Sequence, residues 1–476
     1  MKYLLGIDIG TSSAKALVID EDGKTQAMAQ REYPIATPQP GWAEQEPEWW
    51  WEATVETVRE ALVRGDVAPQ DVAGLGFSGQ MHGTVLLDDQ YQPLCPAIIW
   101  ADGRSASQAE EITRRIGPQR LARIAGSPVA AGFMAATLLW LRERQPELLD
   151  RARAILLPKD YVRLRLTGEL AGDVSDASAT LLFDVSSRDW SEELLKAAGD
   201  IPRQLLPSVQ ESQTVVGQVT RAAAEETGLA PGTPVVAGGS DQAIGAIGSG
   251  VITPGLVSVT IGTGGQLFTP LAEARADPGL RIHTFCHALP GTWHLLGAIL
   301  SAGLSLRWLR DNIFREMASD AYASMVAEAE AVPPGSEGLL FLPYLLGERT
   351  PHMDPLARGL FLGLALHHGR GHLVRAVLEG VTFALRDCLE IFHELGVVPG
   401  RVLACGGGAR SPLWRRLMAN VFQVEVIRVE NEEQAALGAA LLAGIGVGLY
   451  AGAEEACARA VRYGEATLPG EEGVKR

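Results

Sequence analysis

The chain is short of the features that assign a protein most quickly. Its 476 residues include five cysteines, Cys95, Cys286, Cys388, Cys405 and Cys457, an odd number with no CxxC pair. That pattern supports neither a disulfide framework nor a cysteine zinc site. No run approaches the ~18 uninterrupted apolar residues of a membrane span. Met1-Lys2 lead straight into strand-like sequence that contains Asp8, without the apolar stretch and small-residue cleavage site of a secretory signal. A cytoplasmic location with no membrane partner is expected. Positive charge is scarce: 41 Lys and Arg stand against 57 Asp and Glu, a net charge of −16. Such a chain has no general electrostatic attraction for nucleic acid. An anionic ligand would need local help from backbone N–H groups, a few cations or a metal ion. Two phosphate signatures are also missing. The only GK[ST] is Gly23-Lys24-Thr25, with no glycine five positions earlier, and no GxGxxG opens a helix after a strand. A Walker-type phosphate loop is excluded and a Rossmann dehydrogenase disfavoured.

What is present is an α/β pattern. Hydrophobic residues make up 47% and charged residues 21%, the balance of a globular protein of two or three domains at this length. Residues 3–9, 14–20 and 24–33 read as consecutive strands, with a hairpin signal at Glu21-Asp22-Gly23. Pro47 starts an amphipathic helix running to about Leu62, in which Val55, Val58 and Leu62 recur at helical spacing. Residues 72–80 return to strand. The last residues, from Pro469, read as a loose tail.

One passage repeats. Residues 7–13 are Ile-Asp-Ile-Gly-Thr-Ser-Ser, and residues 259–265 are Val-Thr-Ile-Gly-Thr-Gly-Gly. Each follows an apolar strand, each leads into another, and a third strand-like segment comes next, around 292–299 in the second copy. Two similar halves facing one another would form a cleft, the usual place for a ligand. The division is expected near the glycine-rich stretch 238–255, whose composition suits a hinge.

Five constellations can carry chemistry. In the first, Asp8 ends a strand before a turn of Gly10, Thr11, Ser12 and Ser13, with Lys15 beyond. This is either a plain hairpin capped by Asp or a phosphate turn, where glycine permits close approach and N–H groups and hydroxyls meet oxygens. Asp8 could then hold Mg²⁺ directly or through water. The second is Gly262, Thr263 and Gly264, open to the same two readings, although two matching turns could grip one phosphate chain from both sides. The third is an apolar strand at 403–405, the triplet Gly406-Gly407-Gly408, and a helix starting near Ser411-Pro412. The fourth, Gly238-Gly239-Ser240-Asp241-Gln242, puts a carboxylate at the mouth of a strand, where it serves as a general base or as a helix cap. The fifth groups Gln80, Met81 and His82 with Trp100, Asp102 and Arg104: apolar faces and hydrogen-bonding groups for a sugar, or ordinary core. His283-x-x-x-His287 lies in sequence that reads as strand or loop, and His367, His368 and His372 lie in a Gly-rich loop; neither is taken as a metal site. Trp49, Trp50 and Trp51 are expected to pack.

These five pieces, in this order, resemble the motifs of the FGGY family of carbohydrate kinases, over roughly residues 3–445. GIDIGTSSAKALVID is similar to the family's first phosphate motif, VTIGTGG to its second, CGGGARSPLW to its adenosine motif, and GGSDQAIGA to the motif with the catalytic aspartate. The resemblance implies an α/β fold of two duplicated actin/hexokinase-like (ribonuclease H-like) ATPase domains around a central cleft, at 1–245 and 246–476. Within the family, GQMHG (79–83), GWAEQEPEWWW (41–51), PAIIWADGRS (96–105) and DVSDASATLLFD (173–184) resemble the branch acting on the ketopentose D-xylulose; the Arg-Glu pair of glycerol-specific members is absent at 81–82. The implied reactants are ATP and D-xylulose, with Mg²⁺ as cofactor. The implied roles are Asp241 as general base; Asp8 for Mg²⁺; Gly10, Thr11, Ser12, Lys15, Gly262, Thr263, Gly264, Gly407, Gly408 and Ser411 for ATP; and Met81, His82, Gln242, Trp100 and Asp102 for the sugar. A homodimer is the implied assembly. Other ketoses, polyols or sugar acids remain alternatives, as does an actin-like nucleotide switch.

Overall fold

The computed structural model describes residues 1–315 and 321–470; most of the expected tail lies outside them. The chain is built on two seven-stranded sheets. The first uses β1 (Tyr3–Ile9), β2 (Ser13–Asp20), β3 (Thr25–Glu32), β4 (Val72–Gly79), β5 (Val215–Gln218), β6 (Pro234–Val236) and the short β7 (Gly239–Ser240). Its order is β5-β6-β4-β1-β2-β3, with β7 also on β4. β1 runs antiparallel to β2 and parallel to β4. It is buried on both faces from Leu4 onward, which is why its sequence is a nearly unbroken apolar run.

The second sheet uses β8 (Leu256–Ile261), β9 (Gly265–Leu271), β10 (His283–Cys286), β11 (Trp293–Ile299), β12 (Arg401–Cys405), β13 (Val426–Val429) and β14 (Tyr463–Thr467), in the order β10-β11-β9-β8-β12-β13-β14. β8 pairs antiparallel with β9 and parallel with β12, repeating the β1, β2, β4 arrangement. The registers match at the decisive position. Asp8 opposes Lys15 and Ser78; Thr260 opposes Gln266 and Cys405. The repeat seen in the sequence is therefore a repeat of topology. β10 is an extra edge strand that the first half does not have.

Helices cover the sheets. α1 (Pro47–Arg64) starts at Pro47 as expected and buries Trp50, Trp51, Val58 and Leu62. Further along come α2 (Pro158–Thr167), α3 (Val174–Ala179), α4 (Asp241–Gly248), α5 (Arg370–Glu394), α6 (Pro412–Phe422) and α7 (Gln434–Gly446). The halves are joined through α4 and α7. A Cβ on Gly248 would lie 1.9 Å from the Gln434 carbonyl oxygen, and one on Gly438 would lie 1.9 Å from that of Ile244. The glycines of 238–255 thus partly serve close helix packing, and residues 245–246 lie inside α4. Among the described residues no helix is long and apolar enough to cross a membrane.

Candidate active site

Asp8 and Asp241 line one cavity of about 200 Å³, with Gly10 and Gln242 from the first half and Thr260 and Gln266 from the second. Asp8 is buried at the end of β1 and its Oδ1 accepts a 2.8 Å hydrogen bond from Ser78 Oγ. Burial pushes its carboxyl up; the Ser78 bond and the Lys15 charge oppose this. Asp241 is the first residue of α4. Its Oδ1 is shielded from solvent and has no hydrogen-bond partner. Burial, then the facing charge of Asp8, pushes its pKa up to about 7, while Gln242 pulls the other way. Two acids on one cavity, the charge of Asp8 raising Asp241 and one oxygen of Asp241 stranded, suit a hard cation between them. Among the described residues no three His, Cys, Asp or Glu converge on one cation position. A closed protein cage is therefore absent, and the donor set fits Mg²⁺ held by one or two carboxylates together with phosphate and water.

The first of the two matching turns is anchored by its carbonyls. Gly10 O accepts from Tyr33 Oη (2.5 Å), Thr11 O from Gln45 Nε2 (2.8 Å) and Ser12 O from the Tyr33 amide (3.1 Å). The second turn is pinned from the helix at Gly303–Trp308: Thr263 O accepts from the Ala302 and Leu304 amides, each at 3.0 Å, and Gly262 O from the Gly303 amide at 2.9 Å. Gly264 works inside this turn, its carbonyl accepting from the Gly262 amide at 3.0 Å. Lys15 is not a free cation here; its Nζ sits 2.5 Å from Glu433 Oε2 in the second half.

A second, larger cavity of about 670 Å³ opens beside the second turn, lined by Gly262, Thr263, Gly407, Gly408 and Ser411. Its volume suits a drug-sized ligand. Ser411 also caps α6 through the Trp414 amide at 3.3 Å. Gly303, Arg307 and Tyr322 add walls that no local motif announced. Gly407 faces open space where a Cβ would be. Gly407→Leu should therefore fold normally, raise KM for ATP about tenfold or more by filling the cavity, and leave KM for the sugar unchanged. Initial rates over both substrates check this.

The expected sugar residues lie on the first half. Met81 and His82 are buried. His82 adopts φ +71°, an uncommon state for a side-chain-bearing residue that marks a constrained site. Its ring stacks on Phe133 at 3.6 Å between centroids, and its Nδ1 lies 2.7 Å from Ala179 O. Trp100 donates its indole N–H to Thr11 Oγ1 at 2.9 Å, linking this region to the first turn. Asp102 needs correction as a sugar contact. Its Oδ2 accepts from the Ala43 amide at 2.6 Å, and its two oxygens take Nε, Nη2 and the backbone N–H of Arg104. A carboxylate so fully paired holds the loop and has nothing left for a ligand.

Behind the site, Lys159 is wholly buried, 2.6 Å from Asp160, 2.6 Å from Asp173 and 3.2 Å from Asp176. Asp173 caps α3, Ser175 Oγ accepts from the Ser240 amide at 3.0 Å, and Arg163 Nη1 donates to Ala237 O at 2.5 Å. The backbone that leads into Asp241, and α3, whose Ala179 carbonyl meets His82 Nδ1, thus rest on one buried ionic cluster. Spacing in the sequence gave no sign of it.

With the clamp, the two acids and the two cavities in place, the site is that of a nucleotide-dependent phosphotransferase acting on a small hydroxylated substrate. The chain belongs to the FGGY family of carbohydrate kinases: the family's N-terminal domain matches residues 3–248 and its C-terminal domain residues 257–447. It is 37% identical to the xylulose kinase of Bacillus subtilis (strain 168), over 100% of this chain and 94% of that one. It is 34% identical to the gluconokinase of the same organism, over 94% of this chain and 87% of that one. Its fold superimposes on a crystal structure titled as a xyloylose kinase from Brucella ovis with a TM-score of 0.91, 37% identity and coverage of 98% and 95%.

Proposed function

We propose that this kinase, with domains at 1–245 and 246–476, transfers the γ-phosphoryl group of ATP to the 5-hydroxyl of D-xylulose, giving ADP and D-xylulose 5-phosphate. The observation that carries the reading is Asp241, an acid with a shielded, unpaired oxygen and a pKa near 7, facing Asp8 in a cavity between two phosphate turns.

The sugar lies against Met81 and His82 with its terminal hydroxyl directed at Asp241, and Gln242 lies beside it. The hydroxyl oxygen attacks the γ-phosphorus, the bond to the β-phosphate oxygen breaks, and the hydroxyl proton passes to Asp241. Transfer is loose at its transition state, so alignment and charge neutralisation matter most. Gly10, Thr11 and Ser12 hold phosphate oxygens from one side, Gly262 and Thr263 from the other. The adenosine lies against Gly407, Gly408 and Ser411. Mg²⁺, when bound, neutralises phosphate charge, and Asp8 is the oxygen donor that fits it. Closure of the halves excludes water, the competing acceptor.

The test is a panel of ketopentoses, polyols and sugar acids in a coupled ADP-release assay. D-Xylulose should give the highest kcat/KM, and a better rate with another sugar would replace it. Gluconate is the second candidate, because a gluconokinase is among the relatives. In thermal melts the pentulose alone should raise the midpoint, since Met81, His82, Asp241 and Gln242 all belong to the first half. Stabilisation by nucleotide alone would remove the sugar pocket from Met81 and His82.

A further inference from the structure

One cation in the cleft has no role in this scheme. Arg349 belongs to the second half, and its backbone is tightly held there. Glu348 Oε1 accepts from the Arg349 amide at 2.8 Å and the Leu300 amide at 3.0 Å, and the Thr350 amide donates to Ala298 O at 3.0 Å. These bonds tie the segment to the end of β11, near Ala302, whose amide pins the second turn. The side chain crosses to the first half: its guanidinium carbon lies 5.9 Å from the Trp100 ring centroid. It is half-buried. Among the described residues no carboxylate lies within ion-pair distance of it, and its guanidinium N–H groups make no hydrogen bond to the protein. Its charge bears on His82 and His283 and helps to depress both; the groups bearing on Asp241 are Asp8 and Gln242. Arg349 therefore stands over Trp100 at the sugar pocket, where its charge reaches His82.

The two groups at that end are complementary in hydrogen bonding. The Ala179 carbonyl can only accept, so the 2.7 Å contact puts the proton of His82 on Nδ1. Burial holds the ring neutral, with a pKa near 3, which leaves Nε2 as an acceptor. Arg349 can only donate, through a rigid fork. One acceptor and one cationic donor in the same pocket suit a ligand that carries a hydroxyl next to a carbonyl or carboxylate oxygen.

We propose that Arg349, together with His82, is a specificity-determining pair that reads the non-phosphorylated end of the substrate as a hydroxyl adjacent to a carbonyl or carboxylate. This rests on the sugar position given under the proposed function. The pair accepts α-hydroxyketones and α-hydroxy acids and disfavours polyols of the same length, which offer hydroxyls alone. A donor-only cation facing a hydroxyl still meets an acceptor, but it forfeits the stronger bond to a carbonyl or carboxylate oxygen.

The experiment compares D-xylulose with xylitol, the same carbon chain with the carbonyl reduced, and D-gluconate with D-glucitol, in wild type, Arg349→Met and Arg349→Lys. Wild type should favour the carbonyl or carboxylate member of whichever pair it uses. Arg349→Met should lower kcat/KM for that member by about 10–100-fold, the worth of a charge-assisted hydrogen bond. It should leave the polyol within about threefold and ADP affinity without sugar unchanged. Arg349→Lys keeps the charge without the fork and should recover part of the loss. An equal fall for ketose and polyol would make Arg349 a closure contact on Trp100 and overturn the proposal; so would no change in either. If Arg349→Met does not fold, the same ratio in Arg349→Lys decides. A wild type active only on gluconate would refute D-xylulose as substrate while the gluconate–glucitol pair still tests Arg349.

Discussion

Asp241→Asn should lower kcat by about 10²–10⁴-fold, the range of a lost general base, with KM for ATP nearly unchanged. Asparagine keeps the shape and the first turn of α4, so the loss reports proton acceptance. The carboxyl is held up to about 7 by burial and by the Asp8 charge, and it must be ionised to act. Wild-type kcat/KM should therefore fall as pH drops through about 7, and the acidic limb should vanish from the residual activity of Asp241→Asn. Stability should move the other way. The folded state binds this proton more tightly than the unfolded chain does. The ionised group thus costs stability as pH rises from the ordinary carboxylate range through about 7. Without ligands at pH 8, Asp241→Asn should melt above wild type. A variant that turns over within a few-fold of wild type while folded would remove Asp241 from the chemistry.

Asp8→Ala should lower the rate by about 10²–10³-fold or more, the scale of a lost group that stabilises transition-state charge, and raising Mg²⁺ should not restore it. The side chain is held in place by a 2.8 Å hydrogen bond from Ser78 Oγ. A second readout separates a metal role from simple damage. The Asp8 charge is among the causes that raise Asp241, so the acidic limb of the residual activity should move to lower pH in Asp8→Ala. Normal kinetics at ordinary Mg²⁺ would end its metal role; an unmoved limb would show that the two carboxyls do not interact.

Much of the fold was legible because its signals are local. β1 and β3 are close to the strands read from hydrophobicity and turn residues, and α1 begins at its proline. The duplicated turn betrayed the duplicated topology because the same backbone problem, a strand turning sharply before an antiparallel partner, was solved with the same Ile-Gly-Thr residues. The supporting parts were not legible. Lys159, Asp173 and Asp176 meet across the turns of two helices. Phe133 reaches His82 from a distant loop. Asp102 looked free because nothing in the sequence says that Ala43 and Arg104 would occupy it. Lys15 looked like a phosphate ligand because Glu433 is 418 positions away.

By itself, the sequence determined that this chain carries two matching Ile-Gly-Thr turns, that only the first has an acid at its strand end (Asp8 against Thr260), and that a further acid, Asp241, follows a glycine pair and a serine. Residue identity and short-range backbone preference suffice for that. Only the tertiary structure decided which groups face each other: Asp8 with Asp241, His82 with Phe133, and Arg349 of one half with Trp100 of the other. The raised pKa of Asp241 and the neutrality of His82 arise from burial and from charges brought in by remote segments. Such long-range desolvation and Coulomb effects depend on distances that no stretch of sequence contains.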